Sequence, residues 1–513
     1  MLAKTGLLIV SNPKQIGKIL PSVQKKVQHT LYIQLLSALT EPFGNFHTNV
    51  FNSWPKYSQT IYGIYSQAVA HCQNLDVRVL LSGLKYQSVN QIQTKRNIDL
   101  VIFDKNHKKI DIDNFIKNKV GSMAEKYGVI TLDSGKFENF DSPSSNGKIY
   151  KHAVLGGTFD RLHTAHKLLL SEAALRSDST ITVGVTEESM LPGKTLWELI
   201  ENLDVRIENV KHFLSDICTE LVYHIVPISD PFGPSIHDPT MEMIVVSEET
   251  LRGGEKINEI REKEKKLNKL DIIPVKLIDE PYPHPHEEMK ISSSTARIRM
   301  LGTLLKPVEE KAIPKKPYII GLTGGVASGK SGVAKWLSQL GAEIVNCDLI
   351  AHDVYKRGKP CHSQIVEHFG ESVLTAEGEI DRKVLGPIVF KNPEQMKKLN
   401  SLVWPAIAQE VVKIIGESHN RVLVVEAAVL LTAGWEKNCH EVWSTLVPRE
   451  EAIKRLISRN GLTEEQAISR IDSQPGNKTY VDSANVVLCP LWEVEFTKKQ
   501  VEKAWNLLQG RLL

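Results

Sequence analysis

The sequence lacks paired cysteines: six cysteines are scattered along its 513 residues, and no C-x-x-C pair occurs among them. We therefore expect neither a zinc site nor a disulfide framework, and the cysteines indicate a reducing compartment. Long apolar runs are also missing, since none reaches the roughly 18–20 residues of a membrane-spanning helix. Excess charge is absent too, because 63 Lys and Arg against 60 Asp and Glu leave a net charge of +3. That balance argues against nucleic acid as the main partner.

Acidic residues are missing from the start of the chain, where none precedes Glu41. The same stretch contains five lysines but no arginine. An acid-poor basic start is typical of mitochondrial targeting sequences, although those favour arginine. The alternative interpretation is a basic solvated segment. We expect a cytoplasmic protein, with mitochondrial association left open.

Two stretches rich in turn-forming residues divide the chain into three blocks. Residues 141–147 (DSPSSNG) form a breaker cluster, a run of residues that interrupt helices and strands. Residues 306–317 (KPVEEKAIPKKP) mix prolines with charges as linkers do. The predicted domains are 1–148, 150–305 and 316–513, in line with the domain size expected of a chain this long.

Short apolar runs alternate with helical patterns in all three blocks. The predicted strands are 77–81 and 99–103 in the first block; 152–155, 181–185, 222–227, 244–246 and 272–275 in the second; and 318–322, 342–346, 422–425, 441–447 and 484–488 in the third. This alternation predicts an α/β protein with doubly wound parallel sheets in the second and third blocks. The first block is also expected to be α/β, but no motif in it indicates a role.

The third block contains a phosphate-binding pattern between a predicted strand and a predicted helix. Residues 324–331 read GGVASGKS and match G-x-x-x-x-G-K-[ST]. Glycines there let backbone N–H groups surround a phosphate at a helix N-terminus. Lys330 is then expected to reach the β- and γ-phosphates of ATP, and Ser331 to ligate Mg²⁺. The predicted nucleotide-binding residues are Gly324, Gly325, Val326, Ala327, Ser328, Gly329, Lys330 and Ser331.

Two further features of this block suggest a kinase. Asp348 follows the second predicted strand, at the sheet edge where ligands bind, and its carboxylate can accept the proton of an attacking hydroxyl. Arg455 and Arg459 lie four residues apart on an amphipathic segment at 448–471. Such arginines either neutralise a transferring phosphoryl group or have a structural role. Together with the phosphate-binding pattern, these residues indicate a small-molecule kinase with a closing lid.

Over nearly its whole length the third block resembles dephospho-coenzyme A kinases. The resemblance lies in GLTGGVASGKS, in Asp348 with the following Ile-Ala-His, in a Trp404-Pro405 turn, and in RLISRNGLTEEQAISRI. It implies that Asp348 lies beside the acceptor 3′-hydroxyl and that Arg455 and Arg459 close on ATP. The chain departs from the family at Trp404, where His is common, and at 424–432, where a strand ending in aspartate is usual.

The second block has its own strand–turn–helix pattern, GGTFDRLHTAH at 156–166. His163 and His166 lie three residues apart at a predicted helix N-terminus, which attracts phosphates. Donors at that point stabilise charge developing on an α-phosphate. Metal-binding and purely structural histidines are the alternatives, although no third metal ligand accompanies the pair.

This pattern resembles the T-x-F-D-x-x-H-x-G-H motif of nucleotidyltransferases, particularly phosphopantetheine adenylyltransferases. ISSSTAR at 291–297 resembles a second signature of that family, whose hydroxyl and N–H groups hold the β- and γ-phosphates. The chain departs from the first motif at Ala165, which replaces its glycine. By resemblance, His166 and Lys194 are assigned to catalysis, and the nucleotide-binding residues are Gly156, Thr158, Phe159, His163, Ser292, Ser293 and Ser294.

Taken together, 150–513 resembles the fused coenzyme A synthases of animals. The resemblance implies adenylylation of 4′-phosphopantetheine by ATP to dephospho-coenzyme A and pyrophosphate. Phosphorylation of the 3′-hydroxyl by a second ATP follows, with Mg²⁺ in both steps and no nucleic acid partner. Two alternatives remain: a nicotinamide mononucleotide adenylyltransferase fused to a ribosylnicotinamide kinase, and an inactive nucleotide-binding scaffold. The sequence does not define an oligomeric state.

Overall fold

The structure is a computed structural model that describes residues 2–36, 50–86, 88–135 and 147–512. The chain divides into two compact units, 1–296 and 297–513. Within the described residues, the first unit contains two five-stranded parallel sheets, and the second contains one. The predicted breaker cluster at 141–147 lies outside the described residues, apart from Gly147. No helix in the described ranges is long and apolar enough to cross a membrane.

The first sheet has the strand order β3-β2-β1-β4-β5. Its strands are β1 (Ala3–Val10), β2 (Val27–Leu35), β3 (Asp76–Val79), β4 (Ile98–Phe103) and β5 (Met123–Thr131). Its helices are α1 (Ile16–Gln24), α2 (Val50–His71), α3 (Ser82–Lys85) and α4 (Lys109–Lys119). Most of β1 is buried, as expected for the central strand of a parallel sheet that is covered on both faces.

The second sheet has the strand order β10-β9-β6-β7-β8. Its strands are β6 (Tyr150–Gly157), β7 (Ser177–Thr186), β8 (Val222–Ile228), β9 (Met243–Ser247) and β10 (Asp271–Val275). Its helices are α5 (Thr164–Arg176), α6 (Leu203–Ile217) and α7 (Leu251–Lys263), and α8 (Ser293–Met300) follows them. A single apolar core joins this sheet to the first one, with buried side chains from β1, α2, β6 and α5.

The third sheet, in the second unit, has the strand order β12-β13-β11-β14-β15. Its strands are β11 (Tyr318–Gly324), β12 (Glu343–Asn346), β13 (Val422–Glu426), β14 (Glu441–Thr445) and β15 (Val486–Leu488). Its helices are α9 (Lys330–Gln339), α10 (Cys347–Val354), α11 (Pro360–Phe369), α12 (Arg382–Lys391), α13 (Pro393–Glu417), α14 (Arg449–Asn460), α15 (Glu464–Asp472), α16 (Asn477–Ser483) and α17 (Val494–Leu512).

The predicted fold class is confirmed, because each predicted strand overlaps a strand of a parallel sheet. In each sheet the turn after the central strand lies at the carboxyl edge, where open α/β sheets bind ligands. The central strands are β1, β6 and β11, and the two predicted phosphate-binding motifs follow β6 and β11. The fold therefore places both motifs where such proteins bind nucleotides.

Two local predictions in the third block are wrong. Trp404 and Pro405 form no turn but lie inside the long helix α13. Val403, Ile407 and Val411 of that helix are buried, and we attribute the tolerated proline to this packing. The single amphipathic segment expected at 448–471 is two helices, α14 and α15. Gly461, in a left-handed conformation at φ 63°, ends the first of them, as glycine commonly does.

Candidate active sites

The phosphate loop, residues 324–331, joins the central strand β11 to α9. Gly324 has φ 142°, and a Cβ atom there would lie 2.3 Å from the carbonyl oxygen of Thr445. Gly329 has φ 91°, and a Cβ atom there would lie 2.9 Å from Cγ of Pro490. The sequence thus places glycine where the loop needs a left-handed or otherwise unusual backbone and a close approach to its neighbours. Ser328 fixes the loop from inside, since its hydroxyl lies 2.6 Å from that of Thr445.

Lys330 folds back over this loop. Its Nζ donates hydrogen bonds of 2.9 Å to the carbonyl oxygens of Gly324 and Gly325. Burial lowers the pKa of Lys330, and the charges of Asp348 and Glu426 oppose that shift. The ammonium group is therefore held at the phosphate-binding end of the sheet, close to two carboxylates.

Glu426 is a site residue that the motif analysis did not single out. It ends β13, next to β11, and is 6% exposed. Ser331 Oγ donates to its Oε1, and Asn346 Nδ2 donates to its Oε2, each over 2.9 Å. A hydroxyl beside a carboxylate matches the oxygen donors that Mg²⁺ prefers. The sequence signal for Glu426 was that an acidic residue directly follows the apolar run 422–425. That run forms the strand beside the phosphate-loop strand.

Asp348 lies in the first turn of α10, after the end of β12, and it is exposed. Its carboxylate interacts electrostatically with Lys330, His352 and Arg382. An exposed carboxylate among basic groups is accessible to a substrate hydroxyl from solvent. The position is consistent with the proposed acceptor side of a kinase site.

Of the two predicted lid arginines, the structure brings one to the phosphate loop. Arg455 Nη1 donates to the carbonyl oxygen of Ala327 over 3.3 Å, and its Nη2 donates to that of Pro490 over 2.5 Å. Arg459, one turn further along α14, is exposed. Gln474, which motif analysis missed, accepts a 2.7 Å hydrogen bond from the backbone N–H of Val326. Residues from α14 and from the segment after α15 thus contact the loop.

The histidine turn, residues 158–163, connects β6 to α5 and is fixed by buried charges. Phe159 and Arg161 have positive φ angles of 51° and 46°, which non-glycine residues adopt rarely. Asp160 is fully buried, and its Oδ1 accepts a 3.0 Å hydrogen bond from the backbone N–H of Glu201. Arg206, 1% exposed, donates to the carbonyl oxygen of Thr158 over 2.8 Å. These contacts hold an unusual backbone in place.

His163 and His166 lie together at the start of α5. Their rings stack with centroids 3.7 Å apart, and the ring of Phe159 lies 5.2 Å from that of His166. Burial lowers the pKa of His166 to about 4, although the charge of Asp160 opposes the shift. His166 is therefore neutral at neutral pH, with Nδ1 buried and without a hydrogen-bond partner among the described residues. A neutral imidazole keeps one ring N–H with which to bind a phosphate oxygen.

The structure brings the two nucleotidyltransferase signatures together. Ser293 Oγ, at the start of α8, donates a 3.0 Å hydrogen bond to the carbonyl oxygen of Asp160 in the histidine turn. The hydroxyls of Ser292 and Ser294 lie 3.1 Å apart, and Ser294 also donates to Glu288. Residues 133 positions apart thus form one hydroxyl-rich site beside the stacked histidines.

The remaining predicted residues lie on β6, in the turn after it, and on the segment after β7. Gly156 is exposed near the end of β6, and Thr158 Oγ1 accepts a 3.2 Å hydrogen bond from Thr186 Oγ1. Lys194 is exposed on a turn between β7 and α6, and its N–H donates to the carbonyl oxygen of Leu191 over 3.1 Å. No group of three or more His, Cys, Asp or Glu in the described part of the chain could hold a metal ion.

Comparison with known proteins matches two separate parts of the chain to two families. The dephospho-CoA kinase family model matches residues 318–490, and the cytidylyltransferase-like family model matches 154–301. A dephospho-CoA kinase of Carboxydothermus hydrogenoformans is 39% identical over 186 residues, which cover 36% of this chain and 90% of that protein. One of Dehalococcoides mccartyi is 37% identical over 173 residues, covering 33% of this chain and 87% of that protein.

Among solved structures, a dephospho-CoA kinase from Campylobacter jejuni matches 38% of this chain and 98% of its own, with 25% identity and a TM-score of 0.31.

Proposed function

Because the chain belongs to the dephospho-CoA kinase family and has a cytidylyltransferase-like domain ahead of the kinase, we propose that it performs the last two steps of coenzyme A synthesis. In the first step, the phosphate of 4′-phosphopantetheine attacks the α-phosphate of ATP, giving dephospho-coenzyme A and pyrophosphate. In the second, the 3′-hydroxyl of dephospho-coenzyme A takes the γ-phosphate of another ATP. One observation carries the proposal: each of the two sequence motifs predicted to bind phosphate follows the central strand of its own sheet.

The first step needs positioning and charge stabilisation, since the attacking phosphate is already a nucleophile. The half-buried, neutral His166 donates a hydrogen bond to the α-phosphate, where charge develops during the reaction. His163 and the hydroxyls of Ser292, Ser293 and Ser294 bind the β- and γ-phosphates that leave. Lys194 on its exposed turn provides a cation between the two substrates.

The second step uses a carboxylate and two cations at the third sheet. Asp348 orients the 3′-hydroxyl and accepts its proton, a role that an exposed carboxylate can perform. Lys330 lies at the phosphate loop and neutralises the γ-phosphate as charge moves onto its oxygens. Arg455 already touches the loop at Ala327, whereas Arg459 requires a movement of the lid to reach ATP.

Mg²⁺ fits the donors of the kinase site. Ser331 Oγ, in the phosphate loop, supplies a hard oxygen atom of the kind that this ion selects, and Glu426 Oε1 orients it through a 2.9 Å hydrogen bond. When bound, the ion neutralises charge on the phosphates. At the nucleotidyltransferase site we expect Mg²⁺ to enter bound to the phosphates of ATP.

Incubation of the full chain with ATP, Mg²⁺ and 4′-phosphopantetheine, followed by mass detection of products, tests the proposal. We expect dephospho-coenzyme A, pyrophosphate and then coenzyme A. A parallel reaction with nicotinamide mononucleotide and nicotinamide riboside tests the alternative substrates, and adenylylation of that nucleotide alone would overturn the proposed first step. Absence of turnover with every acceptor would favour an inactive nucleotide-binding scaffold.

A further inference from the structure

The first and second sheets have the same topology. Counting strands from each central strand, β1–β5 and β6–β10 are both ordered 3-2-1-4-5, and all ten strands pair in parallel. The connections match as well: α1 and α5 follow the first strand, α2 and α6 the second, and α4 and α7 the fourth. The first block is therefore a topological copy of the nucleotidyltransferase sheet.

The turn that follows β1 lacks the phosphate-binding groups of its counterpart after β6. It contains no histidine, and its backbone donors are occupied by an internal carboxylate. Asp104, directly after β4, accepts 2.8 Å hydrogen bonds from the N–H groups of Ser11 and Asn12, and a 2.9 Å bond from Ser11 Oγ. A carboxylate thus fills the anion position after the central strand, which excludes a nucleotide phosphate from these donors.

The first block, in contrast, contacts α5, the helix at whose start the two histidines lie. Lys167, the residue after His166, forms a 2.5 Å ion pair with Asp76 of β3. Further along, Lys85 Nζ donates 2.5 Å hydrogen bonds to the carbonyl oxygens of Ala174 and Ser177, at the end of α5 and just beyond it. Both ends of α5 therefore contact the first block, one through β3 and the other through α3.

The attachment at the histidine end is part of a buried charge network. Asp76 also pairs with Arg78 Nη2 over 2.8 Å, and Arg78 Nη1 pairs with Asp216 of α6 over 2.8 Å. The Tyr32 hydroxyl donates to the same Asp216 over 2.6 Å. Burial opposes ionisation of Asp76, but the charges of Lys167 and Arg78 outweigh it and lower the pKa of Asp76 to about 2. The carboxylate is thus ionised throughout the neutral range. Burial lowers the pKa of Lys167, and the charge of Asp76 and the hydrogen bond to it oppose that shift.

We propose that the first block is a nucleotide-free copy of the nucleotidyltransferase sheet that positions the phosphate-binding histidines of the second, and that Asp76 is a positioning residue acting through Lys167. This inference rests on the proposed first reaction. The mechanical reason is proximity: fixing the side chain of residue 167 restrains the first turn of α5, which places both histidine rings. Displacements of about 1 Å can lower catalytic rates roughly 100-fold.

The test measures both reactions of full-length Asp76→Asn. We expect the KM for ATP in the first reaction to rise roughly tenfold and kcat to fall by a similar factor. Phosphorylation of supplied dephospho-coenzyme A should be unchanged. Asp271→Asn is the matched control, since it removes an exposed Asp–Lys pair with Lys148 from the same unit. The control should leave the KM for ATP unchanged.

Lys167→Met keeps the proposal testable if Asp76→Asn does not fold, because Asp76 retains Arg78 as a partner in that variant. A rise in KM for ATP at full folded content is expected here too. If the Asp76–Lys167 pair had only a structural role, each variant would lower the apparent kcat in proportion to the fraction of folded protein and would leave the KM for ATP unchanged. An unchanged KM for ATP in both variants would overturn the inference. A wild-type protein that does not catalyse the first reaction would instead overturn the proposed function.

Discussion

The two phosphate-binding turns occupy the same place in their sheets but are built differently. We propose that the phosphate loop after β11 binds phosphate through its backbone N–H groups, and its conformation depends on glycines at φ 142° and 91°. The histidine turn after β6 presents side chains, and its unusual backbone at Phe159 and Arg161 contains no glycine. Its conformation depends instead on buried Asp160 and Arg206 and on α8. The first turn takes its unusual backbone conformation from glycines within it, although Thr445 and Gln474 also bond to it. The second turn contains no glycine and depends on support from residues distant in sequence.

This difference predicts how each reaction responds to substitution. The phosphate loop, Lys330, Asp348 and Glu426 all belong to the third block. Single changes there should therefore affect the second reaction alone. The histidine turn depends on residues from both sheets of the first unit. Changes far from it should therefore still reach the first reaction.

The largest effect is expected for Lys330→Ala. A cation on a transferring phosphoryl group supplies roughly 10³–10⁵-fold in rate, and this variant should lose most of it in the second reaction. Dephospho-coenzyme A should accumulate, because the first reaction uses another ATP site. Product analysis by mass spectrometry measures both steps, with exposed Lys335→Ala on the same helix as control. If dephospho-coenzyme A formation also ceased in folded protein, the independence of the two turns would be wrong.

Asp348→Asn should reduce the second reaction by about 10²–10⁴-fold, because Asn keeps the shape of the side chain but cannot take a proton. ATP affinity should change little, since the phosphate loop supplies those contacts. Asp353→Asn, an exposed carboxylate of the same helix, is the control. Turnover and ATP binding are measured across a magnesium titration. Recovery of turnover at high magnesium would assign Asp348 to the metal and contradict its role as base.

His166→Ala should reduce the first reaction by roughly 10²–10³-fold, which is typical of losing a donor to a developing charge. Phosphorylation of supplied dephospho-coenzyme A should continue at the wild-type rate. His212→Ala removes an exposed histidine from α6 of the same unit and provides the control. An unchanged first-step rate would limit His166 to a structural role beside Phe159.

The smallest effect is expected for Glu426→Gln. Residues that orient a metal ligand contribute about 10–100-fold to metal affinity, and Glu426 is hydrogen-bonded to the predicted ligand Ser331. The variant should need more Mg²⁺ for half-maximal kinase activity and approach wild-type turnover at saturation. Glu343→Gln changes a carboxylate on the same sheet that is bonded to Ser418 and Asn420 instead. Equal magnesium curves for wild type and Glu426→Gln would remove this residue from the metal site.

Several site residues could not be found from motifs because their roles depend on packing. Glu426 is one acidic residue among many until β13 pairs beside β11. Arg455 and Arg459 are equivalent by spacing, yet only Arg455 touches the phosphate loop in this structure. Asp76 lies 91 residues before Lys167, and no local pattern connects them.

The sequence by itself determined the fold class, the strands of the second and third sheets, and the position of the two turns that we propose bind phosphate. These depend on local requirements: short apolar runs mark buried strands, and the phosphate loop needs glycines at fixed positions. Tertiary structure alone decided that the first block repeats the second sheet, that Asp104 fills its anion position, and that Asp76 holds α5. The physical reason is that a buried charge needs a partner, that the partners of Asp104 and Asp76 are distant in sequence, and that strand order determines which residues meet.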